Sequence, residues 1–273
     1  MDDIRDLGTV ESTLFVPMIG RIYASEVCPE ILSDKKALDL KDKLPKDLLK
    51  ENTQNQYTCL ASASRSANMD RYIKDFLMRK PNGVIVQLGV GLETTYYRND
   101  NGKTKWYGVD LEHVIEYRKS LLPDAERETS ISGDAFAKEW IEKVRSEIKD
   151  VPILVTASGL FYYFEERQII DLFKMLIPYG DIEIVFDTVN EKGMMMMRKM
   201  WLKKVGHEDA KMFFYVNNAN DLIAKVGEKV KVIAEEPYYK NIKKKGLKLF
   251  TKIGMKISDK HNMVKMIHLG FNQ

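Results

Sequence analysis

The chain has 273 residues, 44% of them hydrophobic, and its 43 basic and 40 acidic side chains leave a formal net charge of +3. That is enough length and apolar material for a substantial core, which excludes a disordered or fibrous chain, and the near-balance of charge excludes the basic stripe of a dedicated nucleic-acid binder. No apolar run approaches the roughly 18–20 residues needed to span a bilayer, and the acidic opening MDDIRDLG lacks the core of a secretion signal. The expectation is a cytoplasmic protein with neither nucleic-acid nor membrane partner. Cys28 and Cys59 lack C-x-x-C spacing and read as buried or half-buried thiols in a reducing compartment.

The first 80 residues read as helical. Ser12 and Thr13 precede Leu14, Phe15 and Met18, with Pro17 early enough for a first turn. Pro29, Ser33-Asp34 and Pro45 mark turns, and Tyr57 to Met78 runs without Pro or Gly, its apolar residues at three- and four-residue spacings. From Gly83 the pattern changes. Val84–Leu88 is a short apolar run ending at Gly89, as a strand buried on both faces requires. Lys105–Val109 is a second predicted strand, halting at Asp110, with a helix from near His113; Glu128–Ile131 is a third, before Gly133-Asp134. Ala135–Ile148 reads as a helix, Pro152–Thr156 as a fourth strand, Glu165–Ile177 as its helix and Ile182–Phe186 as a fifth strand ending at Asp187. Such alternation predicts an α/β fold with a parallel sheet covered on both sides. Met212–Val216, Lys229–Ala234 and Asn262–Leu269 are each candidate strands, one of them returning antiparallel. The basic segment Lys240–Lys248, flanked by Glu235 and Glu236, reads as a solvated helix face or a phosphate contact. One domain is expected: an N-terminal helical cap over 1–80, a cofactor-binding core over 81–190, and a cap or substrate region with closing strands over 191–273.

The sharpest local feature is Gln87-Leu88-Gly89-Val90-Gly91-Leu92-Glu93-Thr94. A glycine straight after a buried strand permits a sharp turn, and a second lets a ligand approach the backbone; a purely structural turn is the alternative. Asp110, nineteen residues beyond Gly91, ends the second strand, where a carboxylate suits the two hydroxyls of a ribose or the N-cap of the next helix. Asp134 follows the third strand, placed for an adenine amino group or, again, a helix cap. The dinucleotide fingerprint needs a third glycine where Thr94 stands, and no phosphate-binding Gly-x-x-x-x-Gly-Lys-Ser/Thr occurs, so an adenosyl ligand without phosphates is preferred.

Val84 to Arg98, with Leu88-Gly89-Val90-Gly91-Leu92-Glu93-Thr94 at its centre, resembles the signature of the leucine carboxyl methyltransferase family, especially its bacterial branch of polyketide O-methyltransferases. That branch usually carries aspartate where this chain has Glu93. Three further blocks are similar: Glu11–Leu14 through Arg21 to Pro29–Ala37; Arg65 with Asp70; and Ser158-Gly159-Leu160-Phe161-Tyr162-Tyr163-Phe164 ending in Glu165-Glu166, with Asp187-Thr188 closing the fifth strand. The resemblance covers roughly residues 9 to 190 and only loosely the final third. It implies a class I S-adenosylmethionine-dependent methyltransferase fold, a Rossmann-like seven-stranded, mostly parallel sheet with its last strand antiparallel, and S-adenosyl-L-methionine as cofactor. It also implies that Arg65 grips the carboxylate of the cofactor's methionine part, with Gly89 and Gly91 beneath that part, Asp110 on the ribose, Asp134 near the adenine and Leu160 in the wall.

Methyl transfer from a sulfonium needs the acceptor in line with methyl and sulfur, so alignment in a dry cavity, rather than a certain catalytic residue, is what the protein supplies. A carboxylate acceptor is already ionised near neutral pH, whereas a phenol or alcohol needs a base. Of four histidines, His113 is expected near the cofactor, His207 in a turn, and His261 and His268 in the C-terminal segment, none at catalytic or metal spacing with an acid; no metal is expected. Tyr162, Tyr163 and Met194, within an aromatic cluster and the run Met194–Met197, are candidates for the acceptor wall or for ordinary packing, and Arg21 and Arg98 for an acidic acceptor or structural ion pairs. The predicted function is O-methylation of a small organic acid or hydroxylated compound resembling a secondary metabolite. The alternatives are a nicotinamide-dependent oxidoreductase, carboxyl methylation of a protein C-terminus, and a non-catalytic adenosine-ligand binder. Oligomeric state is left open.

Overall fold

The structure, a computed structural model, describes residues 14–44, 56–205 and 212–271, with the backbone alone over 200–205. Ser12, Thr13, Pro45 and His207 lie outside the described residues. The five predicted parallel strands form as β1 (Val84–Leu88), β2 (Trp106–Asp110), β3 (Glu128–Ser132), β4 (Ile153–Ala157) and β5 (Ile182–Val189), joined in the final third by β6 (Val230–Pro237) and β7 (Val264–Phe271). Their order is β3-β2-β1-β4-β5-β7-β6, and β7 alone runs against both of its neighbours.

Every residue of β1, β4 and β5 is buried, which is why those runs are mostly apolar instead of alternating, with Gln87, Thr156, Glu183, Asp187 and Thr188 as buried polar exceptions. Two apolar layers flank the sheet. On one face Val84, Val86, Leu88, Val155 and Phe186 pack on Trp140, Ile141, Ile169, Phe173 and Leu222, supplied by α6 (Glu139–Glu147), α7 (Glu166–Leu176) and α9 (Ala219–Val226). On the other, Ile85, Trp106, Leu154 and Val185 pack on Leu60, Met69, Ile73 and Phe76 of α3 (Gln56–Arg79), behind which lies α1 (Phe15–Val27). The helices α2 (Lys35–Leu40), α4 (Thr95–Asn99), α5 (Glu112–Leu121), α8 (Glu191–Val205) and α10 (Leu249–Lys260) complete the set. The C-terminal end of α3 is tied to the start of β5 by the two-pronged Arg79–Glu183 bond, both N···O distances 2.8 Å. The start of α3 therefore stands at the opposite end of the sheet, where the parallel strands deliver their loops.

Three expectations need correction. The helix predicted from Ala135 begins at Glu139, because the Asp134 carboxylate accepts from Phe136 N at 2.9 Å and its carbonyl accepts from Ala137 N, making a tight turn first. Met212–Val216 is extended but is no strand: Met212, Phe214 and Val216 are buried and Phe213 and Tyr215 exposed, yet its backbone makes isolated bonds, donating to Tyr162 O and Val189 O and accepting from the Arg198 guanidinium at Met212 O, with no ladder. A period-two pattern reports extended chain on a core, and a ladder is a separate requirement. Lys240–Lys248 is a string of turns with no helix face; Lys240 pairs with Glu236, Lys244 with Asp259 and Lys245 with Glu30.

Candidate functional site

Gly89 and Gly91 both have left-handed backbones, φ 61° and 43°, so the turn after β1 needs residues without a Cβ penalty. A Cβ at Gly89 would fall 2.8 Å from Leu160 Cδ1, and one at Gly91 2.7 Å from Leu14 Cδ2. Asp110, closing β2, accepts from Gly91 N at 2.8 Å with one carboxylate oxygen and from Leu111 N at 2.9 Å with the other. It is not the N-cap of α5: Leu111 holds that position without a side-chain bond. Burial pushes the Asp110 carboxyl above its ordinary pKa, and the two N–H donors oppose the shift in part. Gly133 N donates to Asp110 O at 2.9 Å, which fixes the β3 loop beside the β2 loop. Asp134, next in that loop, is exposed, and space is open around Gly133.

Three arginines hold the glycine turn from behind. Arg118, on α5 and buried, donates to Gly91 O (3.0 Å) and Glu93 O (2.7 Å) and pairs with the buried Glu128 at 2.7 Å. Arg21, on α1 and also buried, donates to Leu92 O at 2.7 Å and to Glu93 Oε1 at 2.5 Å. Arg98, on α4, binds Asp70 with two prongs (2.8 and 3.0 Å), Asp34 at 2.5 Å and Thr94 Oγ1 at 2.9 Å. Burial lowers the Arg21 guanidinium against the charges of Glu93 and Asp34, while for Arg98 burial is outweighed by Asp70, Glu93 and Asp34. Glu93, where the resemblance usually has aspartate, takes part on both sides: Oε1 accepts from Arg21 and Oε2 from Thr95 Oγ1 at 2.8 Å. Thr94, in the place of a third glycine, begins α4 and donates to Asp34 Oδ2 at 2.5 Å. The N–H groups of Arg21 and Arg98 are thus turned toward the protein's own carboxylates and carbonyls.

Arg65 lies across from this turn. Its Nε sits 2.8 Å from Asp187 Oδ2, near the end of β5, although the N–H is not aimed as a hydrogen bond. The same carboxylate accepts from Tyr162 Oη at 2.8 Å and, through its other oxygen, from Gly159 N at 2.7 Å. Gly159 has φ 69°, and a Cβ there would lie 2.3 Å from Arg65 Nη1, so the guanidinium rests directly on a left-handed glycine. Burial alone would lower the Arg65 pKa; the Asp187 charge, with Tyr238, Tyr162 and Tyr163 nearby, lifts it above its ordinary value. Tyr162 is raised well above an ordinary phenol by burial and by Asp187, which keeps its proton on oxygen.

The two clusters are contiguous. Leu160 covers Gly89 on one side, and its neighbour Gly159 carries Arg65 on the other. Gly89, Gly91, Asp110, Leu160 and Arg65 therefore border one stretch of the sheet's carboxyl end, with the Asp134 loop adjoining at Asp110. Asp187, Gly159 and Arg118 were not singled out by sequence as holding this site together. Gly159 had a readable signal, a glycine right after a buried strand and serine; Arg118 had none, being one more basic residue on a helix of mixed charge.

Other expected residues fall elsewhere. Tyr163 and the buried Met194 pack with Tyr162, Val189 and Met212, whereas Met195 and Met196 are exposed. His113 is exposed, and His261 follows α10. His268 does have an acidic partner, contrary to expectation: its Nε2 is 2.7 Å from Glu183 Oε2, and both are buried on adjacent strands, a pairing that sequence separation hides. Among the described residues no cluster of His, Cys, Asp and Glu could hold a metal. Cys28 and Cys59 are buried and unpaired with each other. A groove of about 970 Å³ between the α2 region, α3 and β6 shares only Arg98 with the expected residues and misses Gly89, Gly91, Asp110 and Leu160.

This strand order, with one reversed strand and a glycine turn after the first, defines the class I methyltransferase fold. The sequence profile of the family described as leucine carboxyl methyltransferase matches residues 19–177, more than half of the chain. The chain belongs to that family and is an S-adenosylmethionine-dependent methyltransferase. It is 26% identical over 193 residues, 69% of each chain, to the tetracenomycin polyketide synthesis O-methyltransferase TcmP of Streptomyces glaucescens. Among solved structures, a duf574 family protein from Streptomyces avermitilis superposes with a TM-score of 0.58 at 10% identity, covering 93% of this chain and 97% of that one. A SAM-dependent methyltransferase from Anabaena variabilis gives 0.51 at 14% identity, covering 76% and 86%. Among the described residues no helix is long and apolar enough to cross a membrane.

Proposed function

We propose that this chain transfers a methyl group from S-adenosylmethionine to an oxygen of a small organic acid, with a carboxylate as acceptor. The observation that carries the reading is the contiguous border of Arg65, Gly159-Leu160, Gly89, Gly91 and Asp110, in which one cation and one half-buried carboxylate stand on either side of two glycines that present bare backbone. The cofactor supplies an activated methyl on a positively charged sulfur, and the reaction leaves that sulfur neutral. Arg65 turns its guanidinium edge, beside the Tyr238 hydroxyl, to a carboxylate while Asp187 holds its Nε side. Asp110 spends one acceptor site of each oxygen on a backbone N–H, and the remaining lone pairs suit two ribose hydroxyls. Asp134, exposed at the edge of the adjoining loop, is the proposed neighbour of the adenine amino group.

A carboxylate acceptor is favoured because the groups around Arg65 and Leu160 offer no ready base: Tyr162 keeps its proton, His268 is committed to Glu183 on the sheet, and His113 stands at the other end of the border, beside Asp110. Tyr163 and Met194, beyond Tyr162, are the proposed apolar wall. Similarity to a polyketide O-methyltransferase supports a small molecule over a protein terminus. Calorimetric titration with S-adenosylhomocysteine tests the cofactor site, and no binding at millimolar concentration by folded protein would reject it. Incubation with methyl-tritiated cofactor and a panel of aromatic and aliphatic acids tests the acceptor. A carboxyl ester releases its label in mild base; label that survives base is an ether, which would move the reading to a hydroxyl.

A further inference from the structure

α10 is built inside out. The side facing the protein carries Thr251, Met255 and Ser258, all buried, with Gly254 against the Tyr57 ring. The side facing solvent carries Leu249, Phe250, Ile253 and Ile257, exposed by 68%, 87%, 45% and 49%. At 3.6 residues per turn these four occupy an arc of about 100°. A globular helix normally turns such an arc inward. Lys252 and Lys256 adjoin the arc on one flank, Lys260 falls within it at the last residue of the helix, and Lys243 and Lys248 precede it. Those five lysines have no ion-pair partner among the described residues, and the nearby Asp259 is engaged with Lys244 and with Tyr239 N.

Charge decides what covers such a face. A second copy related by a two-fold axis would set lysines against lysines. An anionic bilayer offers phosphates and carboxylates at the level of the ammonium groups and hydrocarbon just below, and a helix with this composition lies flat in that boundary. Phe250, the most exposed, is the natural wedge. We infer that α10 and the lysine-bearing turns before it form a peripheral docking surface for anionic lipid. The expectation of no membrane partner is thereby amended, since a helix of twelve residues lies on a membrane without spanning one.

The surface is also oriented. Lys248 N donates to Gln56 Oε1 at 2.8 Å at the start of α3, and Met263 O, just past α10, accepts from Asn190 N at 3.1 Å beyond the end of β5. Both ends of α10 are thus pinned at the carboxyl end of the sheet, where the glycine turn lies, so docking brings the acceptor side of the molecule to the lipid.

The test is sedimentation of the full chain with vesicles of phosphatidylcholine and phosphatidylserine at 3:1, and of phosphatidylcholine alone, at about 0.1 M salt. Each lysine near an anionic surface is worth about fivefold in partition, so the mixed vesicles should bind at least tenfold more protein, and 0.5 M salt should remove most of the difference. Phe250→Ser with Ile253→Ser, at exposed positions that leave the core intact, should cut binding at least tenfold with the melting temperature unchanged. Lys252→Glu with Lys256→Glu should abolish the preference for the anionic vesicles. Equal binding to both compositions, or no binding to either, overturns the inference. So does a dimer by light scattering that the Phe250→Ser, Ile253→Ser variant converts to monomer, since the face would then belong to a second copy.

Discussion

The glycine turn and the Tyr162–Met194 region sit at the same end of one sheet and are held by opposite means. Around the turn, the carbonyls of Gly91, Leu92 and Glu93 are each taken by an arginine, and the Gly91 N–H by Asp110. Around Tyr162, Val189, Met194 and Met212 pack with Tyr163 and Met197 at the edge, and direction comes mainly from one carboxylate, Asp187. The first is a charge lattice with little freedom to move. The second is soft, since methionine fills irregular space in several rotamers. A cofactor common to a whole family calls for the former, and an acceptor that varies from member to member is better met by the latter. Substitutions should therefore be sharply felt on one side and absorbed on the other.

The largest effect is expected at Arg118. Arg118→Met keeps the volume but leaves Glu128 buried without its partner and two turn carbonyls without a donor. Breaking a buried pair from one side costs about 3–5 kcal/mol, so thermal melting should fall by about 10 °C, and S-adenosylhomocysteine affinity should fall with it. A melting change below about 2 °C would refute the view that the turn is held from behind. Arg65→Lys comes next. The ammonium retains a charge beside Asp187 but loses the planar fork. A charge-assisted bond of about 1.5–3 kcal/mol predicts S-adenosylhomocysteine binding weakened by ten- to a hundredfold in calorimetry, with melting nearly unchanged. Undiminished affinity would remove Arg65 from the cofactor's carboxylate.

A third expectation lies away from both regions and calibrates them. Burial would raise the Glu183 carboxyl, but Arg79 and His268 hold it far below the usual carboxylate range. A carboxyl depressed in the folded state contributes stability above its unfolded pKa of about 4.3 and loses it as pH falls through the lower folded value. Glu183→Gln should thus lower stability by about 1–2 kcal/mol at pH 7, with the gap to the parent chain closing below about pH 4. A gap independent of pH would mean that packing, rather than charge, ties β5 to β7 there.

What could be read from sequence follows the same division. Strands buried on both faces announce themselves as mostly apolar runs, as β1, β4 and β5 do, and together with β2 and the half-buried, polar β3 they begin and end within a few residues of the predicted positions. That Gly89, Gly91 and Asp110 stand in or beside strand ends was legible, because chain turns there are written in single residues; what they bind is a proposal. Met212–Val216 misled because burial on alternate sides imitates a strand wherever extended chain lies on a core. The pairs Arg65–Asp187, Arg118–Glu128 and His268–Glu183 were not legible as pairs: each joins elements whose proximity only the finished sheet creates. The inverted helix α10 was unreadable for a related reason. Leu249, Phe250, Ile253 and Ile257 look like any buried stripe until the fold shows which side faces out.

The smallest expected effect sharpens the contrast most. Met195 is 51% exposed on α8, next to Met194, which is 1% exposed and packed with Tyr162 and Met212. Met194→Leu keeps most of the buried volume in a region that can repack and should cost less than about 1.5 kcal/mol, and Met195→Ser should change stability by less than about 0.5 kcal/mol. If the soft side of the molecule is the acceptor wall, Met195→Ser should still raise KM for an apolar acid a few-fold while leaving kcat and S-adenosylhomocysteine affinity alone, because uniform binding is lost and nothing near the sulfur moves. An unchanged KM across acids of increasing apolar length would confine the wall to Tyr163 and Met194 and leave Met195 as an ordinary exposed side chain. A fall in cofactor affinity would be the more damaging result, since it would couple two regions whose separate construction is the reason they respond differently.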